Sequence, residues 1–458
     1  MFGLDFTDFE NDTLDKDFMP LALFNKAFLK SASKPFAIAV ERNGGLISVY
    51  DTRIHGTFEM AEADKYYAER LVKFLLWARG GFRVFVCGDE DIAEFIRKNY
   101  SVGGAREFDR ISMERVYESR FEVVSLPYSD CPKANEQTKS MGKNLDGCRI
   151  GFDAGGSDRK VSAVIDGEPV YSEEVVWHPK TESDPDYHFK GIVAGLKAAA
   201  ARMPRVDAIG VSSAGIFVNN KVMLASLFLK VPEDVFDKKV KDIYLRAAAE
   251  LGDIPVEVAN DGDVTALAGA MDLDDNNVLG IAMGTSEAAG YVDSHGNITG
   301  WLNELAFTPV DAAPSAMADE WSGDIGCGVK YFSQDAVIKL APAAGIELDP
   351  QLSPGEKLKA VQKILAEGHK GAEKIFFTIG YYLGHSLAHY ADFYDIKHVL
   401  LLGRVMSGHG GEIIHKTAIR ILDKEYPELA AVLSLHLPDE KSRRVGQSVA
   451  AASLPVIG

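Results

Sequence analysis

The chain has 458 residues, 47% hydrophobic and 25% charged, so it is long enough for two or three globular domains and too apolar to be disordered. Its 49 Lys and Arg against 67 Asp and Glu give a formal net charge of −18, which disfavours nucleic acid and anionic membranes as partners. Cys87, Cys131, Cys148 and Cys327 form no Cys-x-x-Cys pair, no apolar run reaches membrane-helix length, and residues 1–6 are acidic rather than signal-like; a cytoplasmic location with reduced thiols is expected.

Residues 35–54 alternate like a hairpin around Asn43-Gly44-Gly45. Residues 61–79 have helical periodicity with Leu71, Leu75 and Leu76 on the apolar side. A buried strand is expected over 82–88 and a second helix over 89–99. Residues 101–147 read as irregular, with 132–146 a polar linker. The order hairpin, helix, strand recurs over residues 150–211. Residues 1–148 therefore read as an accessory α/β domain, either a degenerate copy of that second stretch or an independent use of a common arrangement. Glu41 stands where the second stretch has Asp153, and Arg42 comes next, so no second nucleotide site is expected.

Residues 151–160 read Gly-Phe-Asp-Ala-Gly-Gly-Ser-Asp-Arg-Lys between two strand-like stretches. This pattern predicts a β-hairpin turning at Gly155-Gly156, and glycines there can take positive φ and aim backbone N–H groups at an anion. Asp153 at its mouth can hold a hydrated Mg²⁺, Ser157 offers a hydroxyl to phosphate, and Lys160 adds a cation; an ordinary Gly-Gly hairpin with solvated charges is the alternative. A helix over 189–202 and a strand over 206–211 come next. The loop 215–221 holds Asn219-Asn220, where Asn219 suits either a sugar hydroxyl or a plain turn.

At 258–270 a strand end runs into an Ala-rich helix with Asn260-Asp261 at the junction. A carboxylate there can accept a proton from a substrate hydroxyl, although Asn and Asp are also favoured helix caps. Residues 278–292 read strand, Gly284-Thr285-Ser286 turn, strand, a second hairpin able to offer donors to phosphate. Residues 293–307 end in Glu304-Leu305-Ala306-Phe307, and 320–327 read Glu-Trp-Ser-Gly-Asp-Ile-Gly-Cys. His385 and His389 lie i, i+4 on a helix without the Glu of a zincin, so they read as core or surface residues, as do Tyr381-Tyr382 and Phe393-Tyr394. Residues 398–404 form a buried strand leading to Gly403-Arg404 and a glycine-rich turn where adenine can lie against backbone.

In this order and spacing the segments resemble the ROK family of repressors and sugar kinases, over roughly residues 149–458. The resemblance implies an α/β, two-lobed actin-like ATPase (ribonuclease H-like) fold with an extra N-terminal α/β domain at 1–148, lobe I at 149–259 plus 440–458, and lobe II at 260–439. It implies ATP and Mg²⁺ as cofactors, a small-molecule sugar substrate, and allows a homodimer. Asp261 matches the catalytic base and Asn260 the sugar-binding Asn. Asp153, Gly155, Gly156 and Ser157 match the first phosphate motif, and Gly284 and Thr285 the second. Glu304 matches a sugar-gripping Glu.

The departures are chemical. Phe307 stands at the family's sugar- and zinc-binding His, and Glu320 and Ser322 occupy two of its three zinc-loop Cys positions, leaving Cys327. Four N or S ligands are wanted for structural zinc, so no structural zinc is expected; the loop would be held by packing of Phe307 or Trp321, or by another metal at Glu320. Ser286 replaces a Gly, Glu287 comes directly after it, and Arg404 replaces another Gly. A Glu near phosphates is awkward unless it faces Mg²⁺ or turns outward. The reading is an ATP- and Mg²⁺-dependent sugar kinase. Its alternatives are a non-catalytic sugar- or nucleotide-binding regulator of the same fold, and an ATPase of the benzoyl-CoA reductase/N-acetylglucosamine kinase branch.

Overall fold

The computed structural model describes residues 1–6, 11–136, 141–437 and 446–457. Chain contacts divide the protein into two compact units. One comprises Met1–Gln137, Ile281–Ala289 and Trp301–Leu437; the other comprises Thr138–Gly280, Gly290–Gly300 and Pro438–Gly458.

In the first unit, β1 (Lys34–Arg42), β2 (Leu46–Ile54), β3 (Arg83–Cys87) and β4 (Glu122–Leu126) form a sheet in the order β2-β1-β3-β4. Gly44 and Gly45 adopt left-handed φ of 76° and 72°, closing the β1–β2 hairpin where the sequence places it. The Ala61–Ala78 helix is buried almost all round, its Glu69, Arg70 and Lys73 included. Asp89 caps the Glu90–Asn99 helix by accepting from the Ile92 N–H at 3.1 Å. Residues 101–147 depart from the irregular stretch expected: they contain the Glu107–Tyr117 helix and β4, which pairs parallel with β3. That helix buries Asp109 beside Met113 and Val116, and a charge on the inner face breaks the apolar period by which helices are read. A helix at Leu21–Leu29 was not anticipated either.

The second unit contains β5 (Cys148–Ala154), β6 (Asp158–Ile165), β7 (Glu168–Val176), β8 (Ala208–Ser213), the two-stranded ribbon β9 (Ile216–Val218) and β10 (Lys221–Leu224), and β11 (Val256–Asn260). The main sheet has the order β11-β8-β5-β6-β7. Strands β5, β6 and β7 form an antiparallel meander, while β8 pairs parallel with β5 and β11 parallel with β8. Ile150, Phe152, Val161, Ile209 and Val211 pack against Ile192 and Leu196 of the Pro185–Ala200 helix. The Gln447–Ala452 helix lies directly on the sheet backbone. A Cβ on Gly151 would stand 1.5 Å from the Ser448 carbonyl oxygen, and one on Gly210 1.7 Å from that of Ala451, so only glycine fits at either place. Residues 438–445, which precede this helix, lie outside the described residues. The N-terminal sheet and this one share the order hairpin, helix, strand but not strand direction: β3 is antiparallel to β1, whereas β8 is parallel to β5.

A third sheet joins β12 (Val278–Met283), β13 (Glu287–Val292), β14 (His398–Leu402) and β15 (Ser434–His436) in the order β13-β12-β14-β15. In the first unit, the Lys370–Ala391 helix packs closely on the His409–Glu425 helix, since a Cβ on Gly380 would stand 2.6 Å from the Ile414 carbonyl oxygen. His385 and His389 on that helix are core residues, and burial pushes both imidazoles down to about 3. Among the described residues no helix is long and apolar enough to cross a membrane.

Candidate functional site

The strand ends of the second unit gather an acidic pair. Asp153 is the next-to-last residue of β5 and only 8% exposed. Its Oδ1 accepts a hydrogen bond from the Ser212 hydroxyl at 3.0 Å. Burial, opposed by that bond and reinforced by the neighbouring charge of Asp261, pushes the carboxyl up to about 6. Asp261 opens the Asp261–Leu273 helix, with Asn260 as its cap. Asn260 Oδ1 accepts from the Gly262 N–H at 2.7 Å and its Nδ2 donates to the Gly215 carbonyl at 2.7 Å. The capping role read from the sequence is thus present, and it aims the Asn260 amide at the loop after β8. Asp261 keeps some exposed surface, but the protein around it still raises its pKa through burial, against hydrogen bonding from the Gly262 N–H.

Two further side chains tie this pair together, and the sequence reading missed both. The Gln447 amide donates to the Ser212 hydroxyl and to the Asp261 carbonyl, each at 3.0 Å. Lys180 lies across the glycine turn: a Cβ on Gly156 would stand 2.8 Å from its Cε and 3.1 Å from its Nζ. Its charge also acts on Asp261. No local pattern marks either residue, since one lies in a three-residue turn and the other about 190 positions beyond Asp261 in sequence.

The Gly155-Gly156-Ser157 turn differs from expectation in one respect. Neither glycine has a left-handed φ; the turn needs glycine for close approach, because a Cβ on Gly155 would meet the Asp158 carbonyl oxygen at 2.7 Å. Trp177 pins it, donating from Nε1 to the Gly155 carbonyl at 2.7 Å. Ser157 is exposed and its hydroxyl donates to Asp158 at 2.9 Å. Lys160 faces Asp158 at 3.6 Å and Glu174 at 3.8 Å. Asn219 sits exposed at the β9–β10 turn with φ 52°, while Asn220 beside it bonds Val256 and Val258 of β11.

In the first unit, Gly284 takes a bond from the Gln334 N–H at 2.9 Å, and Thr285 and Ser286 are exposed at the tip between β12 and β13. Gly403, at φ 94°, lets β14 run against the Met283 backbone, where a Cβ would meet a carbonyl oxygen at 2.3 Å. Arg404 is exposed, and its carbonyl accepts from Gln362. The Glu304 N–H donates to the Trp77 carbonyl at 3.0 Å. The Phe307 ring packs on Trp77, centroids 4.3 Å apart, and near Phe108 at 5.6 Å. The N-terminal region thus supplies the surface on which residues 304–307 rest.

The residues at the zinc-loop positions do not fit zinc. Burial pushes the Cys327 thiol up to about 11, keeping it protonated. Glu320 is paired with Lys330, and the Ser322 hydroxyl donates to Asp319 at 2.7 Å. Among the described residues no group of three or more His, Cys, Asp or Glu is arranged to hold a metal. Trp321, one of the two expected anchors, is 68% exposed. The loop is held instead by charge. Asp324 receives Arg70 at 2.9 Å, Lys73 at 3.2 Å and Arg106 at 2.8 Å. Lys73 also reaches Asp109 at 3.1 Å, and Glu69 pairs with Arg70 and Arg106. Burial works against each charge. The opposite charges outweigh it, so Asp324 is held below and Lys73 above its ordinary value.

The sequence matches the ROK family profile over residues 149–442, more than half of the chain. The chain belongs to the ROK family. None of the curated protein sequences compared with it matches. Among solved structures, a ROK hexokinase from Thermus thermophilus is 18% identical, covering 67% of this chain and 96% of its own, with a TM-score of 0.51. A ROK family transcriptional regulator, a homologue of the E. coli MLC protein, is also 18% identical, covering 68% and 79%, with a TM-score of 0.53. At these identities the likeness shows the fold, the α/β actin-like ATPase fold of ROK proteins, with the additional N-terminal α/β region preceding it. Kinases and regulators of this family share it.

Proposed function

We propose that this ROK protein phosphorylates a hydroxyl of a sugar or sugar derivative, with Asp261 as general base. The observation that carries the reading is the uncompensated acidic pair of the second unit. The Asp153 carboxyl accepts from the Ser212 hydroxyl and the Asp261 carboxyl from the Gly262 N–H, the Asp261 charge raises Asp153, and both have raised pKa values. Purely structural buried carboxylates are paired with cations; these are not, and such groups concentrate where a cation or a reacting proton is to be received. Their chemistry fits Mg²⁺: hard oxygen donors, of which Asp153 would hold the ion through water.

Bound Mg²⁺ and ATP would supply the phosphoryl group and the charge that neutralises the pair. Asp261 then accepts the proton of the acceptor hydroxyl, and a carboxylate with raised pKa is a stronger base for that step than a free one. Asn260, fixed at both ends of its amide, orients the hydroxyl. Lys180 beside the Gly155-Gly156 turn offers a cation to phosphate oxygens. Gly284, Thr285, Ser286, Gly403 and Arg404 are assigned to the nucleotide in the first unit, and Glu304 to the sugar. Rate enhancement would come from positioning and charge neutralisation.

ROK membership replaces the alternative ATPase branch. The regulator reading keeps one specific support: Phe307 is committed to packing against Trp77 and Phe108, where the family carries a sugar-binding His. A coupled ADP-release screen over sugars and amino sugars tests the proposal. Sugar-dependent release that disappears in Asp261→Asn supports it. Sugar binding without any release transfers the site to the regulator reading.

A further inference from the structure

Glu287 neither faces solvent nor finds a partner. It opens β13, is 3% exposed, and both carboxyl oxygens are buried without a hydrogen bond. A Glu at this place is tolerated either beside a cation or turned outward, and the outward turn is not what the fold shows. Oxygen atoms surround it. A Cβ on Gly328 would stand 2.3 Å from Glu287 Oε2 and 2.5 Å from the Leu305 carbonyl oxygen, so those two oxygens lie within 5 Å of each other. The Thr308 hydroxyl, 2.8 Å from the same carbonyl, is fully buried. The Tyr390 hydroxyl is fully buried, faces Thr308 and Glu287, and makes no hydrogen bond of ordinary geometry. Glu304, half-buried, places a second carboxylate close enough to act on Glu287.

We propose that Glu287, Glu304, the Leu305 carbonyl and the hydroxyls of Thr308 and Tyr390 form a binding site for one hard divalent cation of calcium's size. The donors are all oxygen, two carboxylates match a divalent charge, and neutral carbonyl and hydroxyl oxygens complete a flexible shell of the kind Ca²⁺ accepts. Mg²⁺, which holds its waters, should bind more weakly in so dry a place. The site contains neither Asp153 nor Asp261 and shares only Glu304 with the proposed sugar site, and it does not depend on the kinase proposal. Burial and the neighbouring Glu304 charge raise the Glu287 pKa, which is the cost an ion would offset.

The test is calorimetric titration of CaCl₂ into chelator-treated full-length protein, without nucleotide or sugar, followed by thermal scans with and without the ion. One equivalent of Ca²⁺ should bind and raise the unfolding midpoint. Glu287→Gln should weaken binding by more than about 100-fold, and Tyr390→Phe by about 10-fold. Asp153→Asn should leave it unchanged, which separates this site from the proposed Mg²⁺ position. Should Glu287→Gln fail to fold, wild type and Tyr390→Phe still decide the matter. No saturable equivalent in wild type, a preference for Mg²⁺, or equal affinity in a folded Glu287→Gln or Tyr390→Phe variant would overturn the proposal.

Discussion

Two buried groups of charges in this protein obey opposite rules. In the first unit, Glu69, Asp109 and Asp324 meet Arg70, Lys73 and Arg106, three charges against three, and every carboxylate has a cation within hydrogen-bond distance. In the second unit, Asp153 and Asp261 share no such cation contact; their carboxyls accept from the Ser212 hydroxyl and the Gly262 N–H, and their pKa values rise. The first arrangement fixes the 319–327 loop by charge. It is complete in itself. The second has no matching cation, and on the proposed reading a cation and a hydroxyl complete it.

The sharpest way to break the comparison is at Asp261. Asp261→Asn is expected to lower kcat on the true substrate by about 10²–10⁴ while leaving nucleotide affinity nearly unchanged. A mutant of wild-type turnover in steady-state assay would remove Asp261 from the chemistry. Next comes the balanced cluster. Asp324→Asn leaves three cations against two carboxylates and is expected to cost about 3–5 kcal/mol of stability, read as a lower thermal midpoint and not as a change in zinc content. A silent mutant would mean that the loop is held by something else.

The acidic pair should show itself in pH dependence. Folding raises the Asp153 pKa from the ordinary aspartate value to about 6, so the folded chain holds that proton more tightly than the unfolded chain. Stability from this group therefore falls as pH rises from about 4 through about 6, by at most about 3 kcal/mol. Asp153→Asn should flatten that slope and raise the thermal midpoint at pH 7, and an unaltered slope would show that Asp153 is not the group responsible. The smallest effect is expected at Lys180. Lys180→Gln should raise KM for nucleotide about 10-fold, the loss of one charge-assisted contact, with kcat less affected. An unchanged KM would place Lys180 outside the site.

Much of the second unit was legible in advance because its signals are local. Gly155-Gly156 marks the β5–β6 turn, Asn260-Asp261 marks a strand-to-helix junction, and Gly403 marks the end of β14; each is a residue type the backbone demands at that spot. What escaped was encoded over distance. Lys180 and Gln447 reach Asp261 only through the fold. Glu69, Arg70, Lys73 and Asp109 carry no local sign of burial, because a charge can be buried only beside its partner, and Asp324 lies more than 200 residues away in sequence. The same burial hid the Glu107–Tyr117 helix. Phe307 stands out in the sequence as a departure, but its partners Trp77 and Phe108 belong to the N-terminal region, far away in sequence. Trp321, one of the two expected anchors, is solvent-exposed.

The most direct measurement of the central claim is ADP release by wild-type protein with Mg²⁺ and ATP across a panel of sugars and amino sugars, each run beside Asp261→Asn. At least one sugar should stimulate release in wild type and none should do so in the mutant. Tight binding of nucleotide with no stimulation by any sugar would contradict the kinase account and leave the acidic pair as the receiving end of a regulatory site.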